Sequence, residues 1–477
     1  MFEHNTLSLA RRHFLQTCGI GLGKVALANL LGGSYAQAAG GAARNPFRPK
    51  APHFPGKARA VIHLFMGGAP SHLDLFDEKP ALIKWAGKSL PQELLKGQRF
   101  AFIRADAAVL PPQFPFQQVG KAGTRIASTL FPHLSTVMDE ICLIRSMHTD
   151  QFNHAPAQIF LNTGFSQPGR PSLGSWVVYG LGSETQELPA YVVMSTGGGN
   201  SGGAANWSSG FLPSVFTGTQ FRNQGDPILN LSSPPGIDAR TQRSSIDLIN
   251  NLNQQRLNQV GQPEIATRIQ AYETAARLQL AGPDLFDLSK ESQKVLDMYG
   301  VVPSQNSFAR SCLLARRMVQ RGVRFINIYH DGWDAHSDVV GNHKNHARQV
   351  DRGCAALIRD LKSHGLLDST LVIWGGEFGR TPMVEMNPVL GRSLGRDHLP
   401  SAFSMWMAGG GIKQGIVHGA TDELGIQAVE NPVHVHDLQA TILHCLGLDH
   451  ERLTYHHAGR DFRLTDVHGK LVKEILA

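Results

Sequence analysis

The sequence predicts an α/β fold built on a mostly parallel central sheet, with helices on both faces and a helical or loop-rich insertion. Three observations predict it. Short apolar runs such as AVIHLFM (60–66), VRFINIY (323–329) and LVIW (371–374) have the length of buried strands. Amphipathic stretches alternate with them, as in strand–helix–strand units. The runs empty into loops rich in Gly, His and carboxylates, where open parallel sheets hold their ligands.

Bulk properties agree. The chain has 477 residues, 42% apolar and 17% charged, which supplies a large core and excludes disorder and coiled coil. No run approaches the ~18 to 20 consecutive apolar residues of a spanning helix, so none is expected in the mature chain. The net charge is +7. No Lys/Arg cluster with interleaved aromatics accompanies it, which argues against nucleic acid as a partner. A mild positive field suits a small anionic substrate instead. The 22 histidines point toward metal sites.

The N-terminus reads as an address. SLARRHFLQ (8–16) carries Arg11 and Arg12, a weakly apolar run follows from Cys18 to Leu31, and Ala36-Gln37-Ala38 resembles a cleavage site. Residues 1–38 are therefore expected to be a twin-arginine export signal, with the translocase as partner and a bacterial periplasm or beyond as destination. Residues 39–58, rich in Gly, Ala, Pro and Lys, read as a linker, and 59–470 as one large domain. Cys142, Cys312, Cys354 and Cys445 remain after export, scattered and without C-x-x-C spacing, either paired or buried.

Along that domain, 60–66 is the first strand, 141–145 a second, 155–162 a helix and 192–194 a third strand. The low-complexity stretch 195–210 reads as loop, and 244–299 turns helical, so about 195–300 is expected to be an insertion or cap. Strands follow at 323–329, 371–374 and 403–407, with an amphipathic helix over 343–364. The glycine run at 197–203 lacks nucleotide-loop spacing. His434 and His436 read as the start of a helix, and His343, His346, His444, His456 and His457 as surface or helix-face residues.

Four loops carry the chemistry: GGAPSHLDLFD (67–77), HDGWDAH (330–336), GGEFGRT (375–381) and GRDHLP (395–400). Three follow strands and one precedes a strand, so all can face one crevice. A mixture of imidazole and carboxylate suits a divalent metal, zinc first, with manganese or iron as alternatives, better than calcium. His72, Asp74, Asp334, His336 and His398 are the expected ligands, with Glu377 a sixth. Arg380 and Arg396 are candidate oxyanion clamps, because a guanidinium fork matches tetrahedral oxyanions.

The segments FMGGAPSHLDLFDEKP, FNHAPAQIFLNTG, WDAHSD, GGEFGRTP and GRDHLP, with the tail from HVHDLQ to DVHG, resemble domain-of-unknown-function family 1501 over Arg59 to His468. That family is similar to the alkaline phosphatase and sulfatase superfamily, which implies a metal-dependent α/β fold and phosphate or sulfate esters, including esterified glycans, as substrates. The chain departs from the superfamily pattern in three places. No cysteine sits in a formylglycine motif. Glu377-Phe378 stands where an Asp-His ligand pair is expected. Counting back nine residues from Thr163-Gly164 puts His154 where the nucleophile belongs. His154 is thus a candidate to attack the ester, ligate the metal or hydrogen-bond an anion, at a helix N-terminus expected to keep its ring neutral. The functional expectation is an exported metal-dependent hydrolase of phosphate or sulfate esters. The alternative is an exported metal-binding or assembly protein without turnover.

Overall fold

A computed structural model of the chain describes residues 45–477 apart from 98–99, 105, 198–199 and 223–235. The export signal expected over 1–38 lies outside the described residues.

Eleven strands matter here: β1 (Ala60–Gly67), β2 (Ile141–His148), β3 (Tyr191–Thr196), β4 (Thr219–Phe221), β5 (Phe325–Asp331), β6 (Thr370–Gly375), β7 (Gly379–Asn387), β8 (Arg392–Leu399), β9 (Phe403–Ala408), β10 (Ile416–His418) and β11 (Val433–His434). Nine of them form the central sheet in the order β10-β2-β9-β6-β1-β5-β3-β4, with β11 also on β2. Every neighbouring pair is parallel except those made by β9, which runs against both β2 and β6. β7 and β8 form a separate antiparallel hairpin.

β1 lies at the centre and is buried along its whole length. A strand covered on both faces needs no polar alternation, which is why it reads as an apolar run with only His63 inside it. Ile62, Leu64 and Met66 enter one core, and Val61 and Phe65 the other. Helices α1 (His154–Thr163), α2 (Leu173–Leu181), α4 (Pro263–Phe286), α5 (Phe308–Gln320), α6 (Val339–Ser363) and α7 (Val435–Cys445) cover the sheet, while α3 (Ala239–Val260) packs on α4. α5 and α6 close the first core, α1, α2 and α7 the second. Among the described residues, no helix is long and apolar enough to cross a membrane.

The structure departs from the sequence expectation in several places. From Asn45 onward the expected linker is pinned to the domain: Lys50 N donates to Leu181 O, and Ala58 N to Cys445 O. At the other end the domain continues past 470, with Ile475 buried and Ala477 N bonded to Gly411 O. The segment expected to be an insertion contributes β4, three residues long and too short to read from sequence, before the α3–α4 hairpin begins. A 3₁₀ turn, Gly203–Trp207, interrupts the glycine-rich stretch. GRDHLP is the end of β8 rather than a loop. Its buried side chains Arg396, Asp397 and His398 are polar and satisfied by partners, so hydropathy does not mark it. His434 caps α7 in a reciprocal box with Asp437. His343 is buried, where its Nε2 accepts from Ser71 N at 3.0 Å. The four described cysteines are free and buried.

Candidate metal centre

The topology decides which loops meet. β1, β2, β5 and β6 share a direction, so their C-terminal ends lie on one edge of the sheet. β9 runs the other way, so its N-terminus lies on that same edge, and His398 at the end of β8 arrives just before it. β2 leads into α1, whose first residue is His154. Pro156 falls in the first turn of α1, where a missing N–H costs nothing.

Four side chains converge there. Asp334 Oδ1 lies 3.1 Å from His154 Nε2, 3.0 Å from His336 Nε2 and 3.7 Å from His398 Nε2. The Nε2 atoms of His336 and His398 are 3.1 Å apart. One ligand atom from each of the four residues lies within 4.8 Å of all the others. His336 and His398 are buried, while the Asp334 side chain is 39% exposed and marks the opening. Phe102 covers the cluster edge-on, its ring 5.0 Å from that of His336 and 5.7 Å from that of His398.

Behind each imidazole stands an acceptor. His154 Nδ1 lies 2.7 Å from Glu377 Oε1, His336 Nδ1 binds Glu385 Oε2, and His398 Nδ1 lies 2.7 Å from the Phe152 carbonyl. A carbonyl or carboxylate oxygen only accepts, so each Nδ1 carries the proton and each Nε2 can present a lone pair inward. Held hydrogen-bond acceptors behind inward-facing imidazoles are the usual outer support of a metal ligand set. Two such lone pairs at 3.1 Å repel each other unless a cation or proton stands between them.

Charge is heavily perturbed. Burial disfavours ionised Asp334, yet His154, His336, His398 and Arg380 outweigh it and hold the carboxyl far below its usual range. Burial likewise opposes a charged His154, but Asp334 and Glu377 push its pKa up to about 9. The ring expected to be neutral therefore carries a proton in the metal-free protein, because two carboxylates outweigh the helix dipole. His336 is raised by Asp334 and Glu385 against the effect of burial. His398 is lowered to about 4, by burial first and then by Arg380 and the neighbouring histidines.

The expected site residues separate into three groups. Asp334, His336 and His398 meet, and His154 joins them as a fourth donor. Its Nδ1 is held by Glu377 and its Nε2 faces Asp334 Oδ1 at 3.1 Å, the position of a metal donor. Glu377 sits one layer out, fully buried, its Oε1 accepting from Gly68 N at 3.0 Å, Gln158 Nε2 at 3.0 Å and His154. It pairs with His154, not with Arg380. His72 and Asp74 do not reach the cluster. His72 Nε2 is bonded to Gly425 O at 2.9 Å and its Nδ1 accepts from Arg380 N at 3.5 Å. Asp74 receives Ser71 Oγ, Gln113 N and a two-pronged contact from Arg396, so no oxygen is left for an ion. Arg396 is fully buried and spends its remaining N–H groups on Leu110, Thr381 and Pro111 carbonyls. Arg380 binds the Gly68, Ala69 and Arg396 carbonyls and reaches Asp334 Oδ1 at 2.6 Å. Neither guanidinium is open to clamp an oxyanion; Arg380 orients Asp334. Glu385, Gln158 and the Phe152 carbonyl escape sequence reading. Glu385 stands on a strand rather than in a loop, and a carbonyl has no sequence signature.

The profile of one family, described as "Protein of unknown function (DUF1501)", matches residues 58–476. The chain belongs to the DUF1501 family. No curated protein sequence matches this DUF1501 chain. Solved structures similar to it include a protein in the alkaline phosphatase superfamily from Vibrio parahaemolyticus, 11% identical over 91% of this chain and 74% of that one, TM-score 0.36. The PsFucS1 sulfatase from Pseudoalteromonas sp. is 12% identical over 82% and 68%, TM-score 0.34. Alkaline phosphatase from the Antarctic bacterium TAB5 is 12% identical over 83% and 99%, TM-score 0.32.

Proposed function

We propose that this DUF1501 chain is an exported, metal-dependent hydrolase of phosphate or sulfate esters. The observation that carries the reading is the inward convergence of three imidazole Nε2 atoms on Asp334, each ring backed by an acceptor at Nδ1. Three imidazoles and one carboxylate suit zinc, with manganese or iron as alternatives. His154, Asp334, His336 and His398 would hold a divalent ion, which would supply positive charge and Lewis acidity toward an ester oxygen. The chain does the rest. Glu377, Glu385 and the Phe152 carbonyl hold the tautomers, Arg380 holds Asp334, and the N-terminal end of α1, which carries His154, would favour an anion beside the ion.

One reading competes. The head of α1 offers no hydroxyl or thiol, and Arg380 and Arg396 are fully buried and held by protein oxygens, which favours an exported metal-binding protein without turnover. Metal analysis followed by hydrolysis of 4-nitrophenyl phosphate and sulfate separates the two. One equivalent of zinc with turnover is expected, and loss of both in His336→Ala. Metal without turnover on either ester supports the binding protein; no metal after reconstitution sinks both readings. For export, replacing Arg11 and Arg12 by Lys should abolish delivery to the periplasm, read by fractionation, and normal delivery of that variant counts against the twin-arginine route.

A further inference from the structure

The metal cluster uses one edge of the central sheet, and a cavity lies at the other. It occupies about 370 Å³ between the start of β3, the segment 214–219 and α4. Tyr191 there pairs with Phe325 at the start of β5, while Asp331 ends that strand on the metal side. From 325 to 331, at ~3.3 Å per residue, about 20 Å of strand separates cavity and cluster. No Lys, Arg, His, Asp or Glu lines the cavity among the described residues. Val178, Val215, Phe216, Ala271, Ala275 and Leu278 supply most of its wall. Of its polar groups, the Tyr191 hydroxyl and Ser214 Oγ are already engaged, by Ser172 and Glu264. Such a lining suits a hydrocarbon. At roughly 30 Å³ for a group the size of a water or a methylene, the volume takes one unbranched chain of about twelve carbons. The paired chains of a phospholipid do not fit.

The mouth selects the head group. A second hollow of about 290 Å³ adjoins the cavity along Phe47, Pro189, Ala190 and Thr274. Its charged lining is Arg48, Arg277, Glu184 and Glu273. Both carboxylates are already paired with arginines outside it, Glu184 with Arg324 at 3.2 Å and Glu273 with Arg243 at 2.9 Å. Arg48 and Arg277 have no carboxylate partner among the described residues. Arg277 is steadied by donating from Nη1 to the Gln186 carbonyl at 3.2 Å. The charge left over at the mouth is therefore positive and forked, the complement of a carboxylate.

We propose that this cavity is a binding site for a single-chain fatty acid, its chain in the apolar hollow and its carboxylate at Arg277 and Arg48. The site stands independently of the metal cluster and of the hydrolase reading. The test is displacement of a fluorescent fatty acid from delipidated, full-length protein by dodecanoate, octanoate and dodecanol. Dodecanoate is expected to bind at one equivalent, at least tenfold tighter than octanoate, which buries less chain, and at least fivefold tighter than dodecanol, which lacks the charge. Ala275→Phe fills the hollow and should abolish binding of all three. Arg277→Gln should weaken dodecanoate at least fivefold and leave dodecanol unchanged, which preserves the test if Ala275→Phe misfolds. No binding, equal affinity for dodecanoate and dodecanol, or wild-type affinity in the variants that fold overturns the proposal. Dodecyl phosphate binding at least tenfold tighter than dodecanoate also overturns it, in favour of a phosphate head group. So does a dimer in sedimentation velocity that Ala275→Phe splits, because a second copy of the chain would then fill the site.

Discussion

At Glu377 one carboxylate oxygen carries three donors, and the third is the imidazole that faces the centre. Its pKa is lowered despite full burial, because His154 and Gln158 together outweigh desolvation. Glu377→Gln keeps the shape and removes the charge, so His154 is held less firmly in the tautomer that points Nε2 inward. We expect metal affinity to fall about 10- to 100-fold, with Glu385→Gln behaving alike through His336; competition against a chromophoric chelator measures both, and wild-type affinity in the two variants would show these acceptors to be ornamental. The proton on His154 gives a second prediction. Metal must displace it, so uptake should release protons and strengthen with pH up to about 9. Calorimetry in buffers of different ionisation enthalpy reads this, and affinity that levels off by pH 7 contradicts it. In the metal-free protein the sign runs the other way. A raised His154 pKa stabilises the fold fully below about 6.5, and that contribution disappears as pH rises through about 9.

Among the elements, the β7–β8 hairpin and the loop after β1 set the geometry by close approach. Gly68 has φ +102°, and a Cβ there would lie 2.5 Å from Asp334 N. A Cβ on Gly395 would lie 2.1 Å from the carbonyl carbon and oxygen of His336. Glycine at both positions lets the β1 loop and the hairpin press on the segment carrying Asp334 and His336. The next residue, Ala69, is itself left-handed at φ +60°, held by Arg380 through its carbonyl. Gly68→Ala should cost about 2 to 4 kcal/mol in denaturant unfolding and lower metal content in the fraction that folds. A loss under ~0.5 kcal/mol, the range of an ordinary surface substitution, would mean the loop is free to move away.

For the molecule as a whole, four deeply buried histidines are kept neutral by desolvation. His63, His343 and His398 are lowered to about 4 and His330 to about 3, with burial the largest cause at each. Each contributes stability that is complete above pH 6.5 and lost as pH falls toward 4, because unfolding lets the ring take up a proton. At ~1.4 kcal/mol per pH unit for each ring, several kcal/mol should vanish between pH 6.5 and 4. The melting temperature should drop steeply over that window, and His63→Leu should flatten the drop. A melting curve indifferent to pH from 6.5 to 4 would refute the burial argument.

The sequence by itself determined the sheet and its working edge. Period and length of apolar runs are local properties, and β1, β5 and β6 declare themselves because strands buried on both faces are dominated by apolar residues, with only single polar residues such as His63 and Asn327 among them. Asp334 and His336 stand in a short motif that follows β5, and His398 in a polar motif that only its residue types mark. Tertiary structure decided everything that depends on partners distant in the chain. Asp74 looks like a ligand until Arg396, 322 residues away, takes both of its oxygens. His154 is placed by residue counting at the nucleophile position, but that its ring joins the donor cluster depends on Glu377, 223 residues away, and on Asp334. Glu385 has no local signature, because its role exists only once the hairpin folds over His336. Residue type and spacing state what a group can bind; which partner reaches it first is settled by packing.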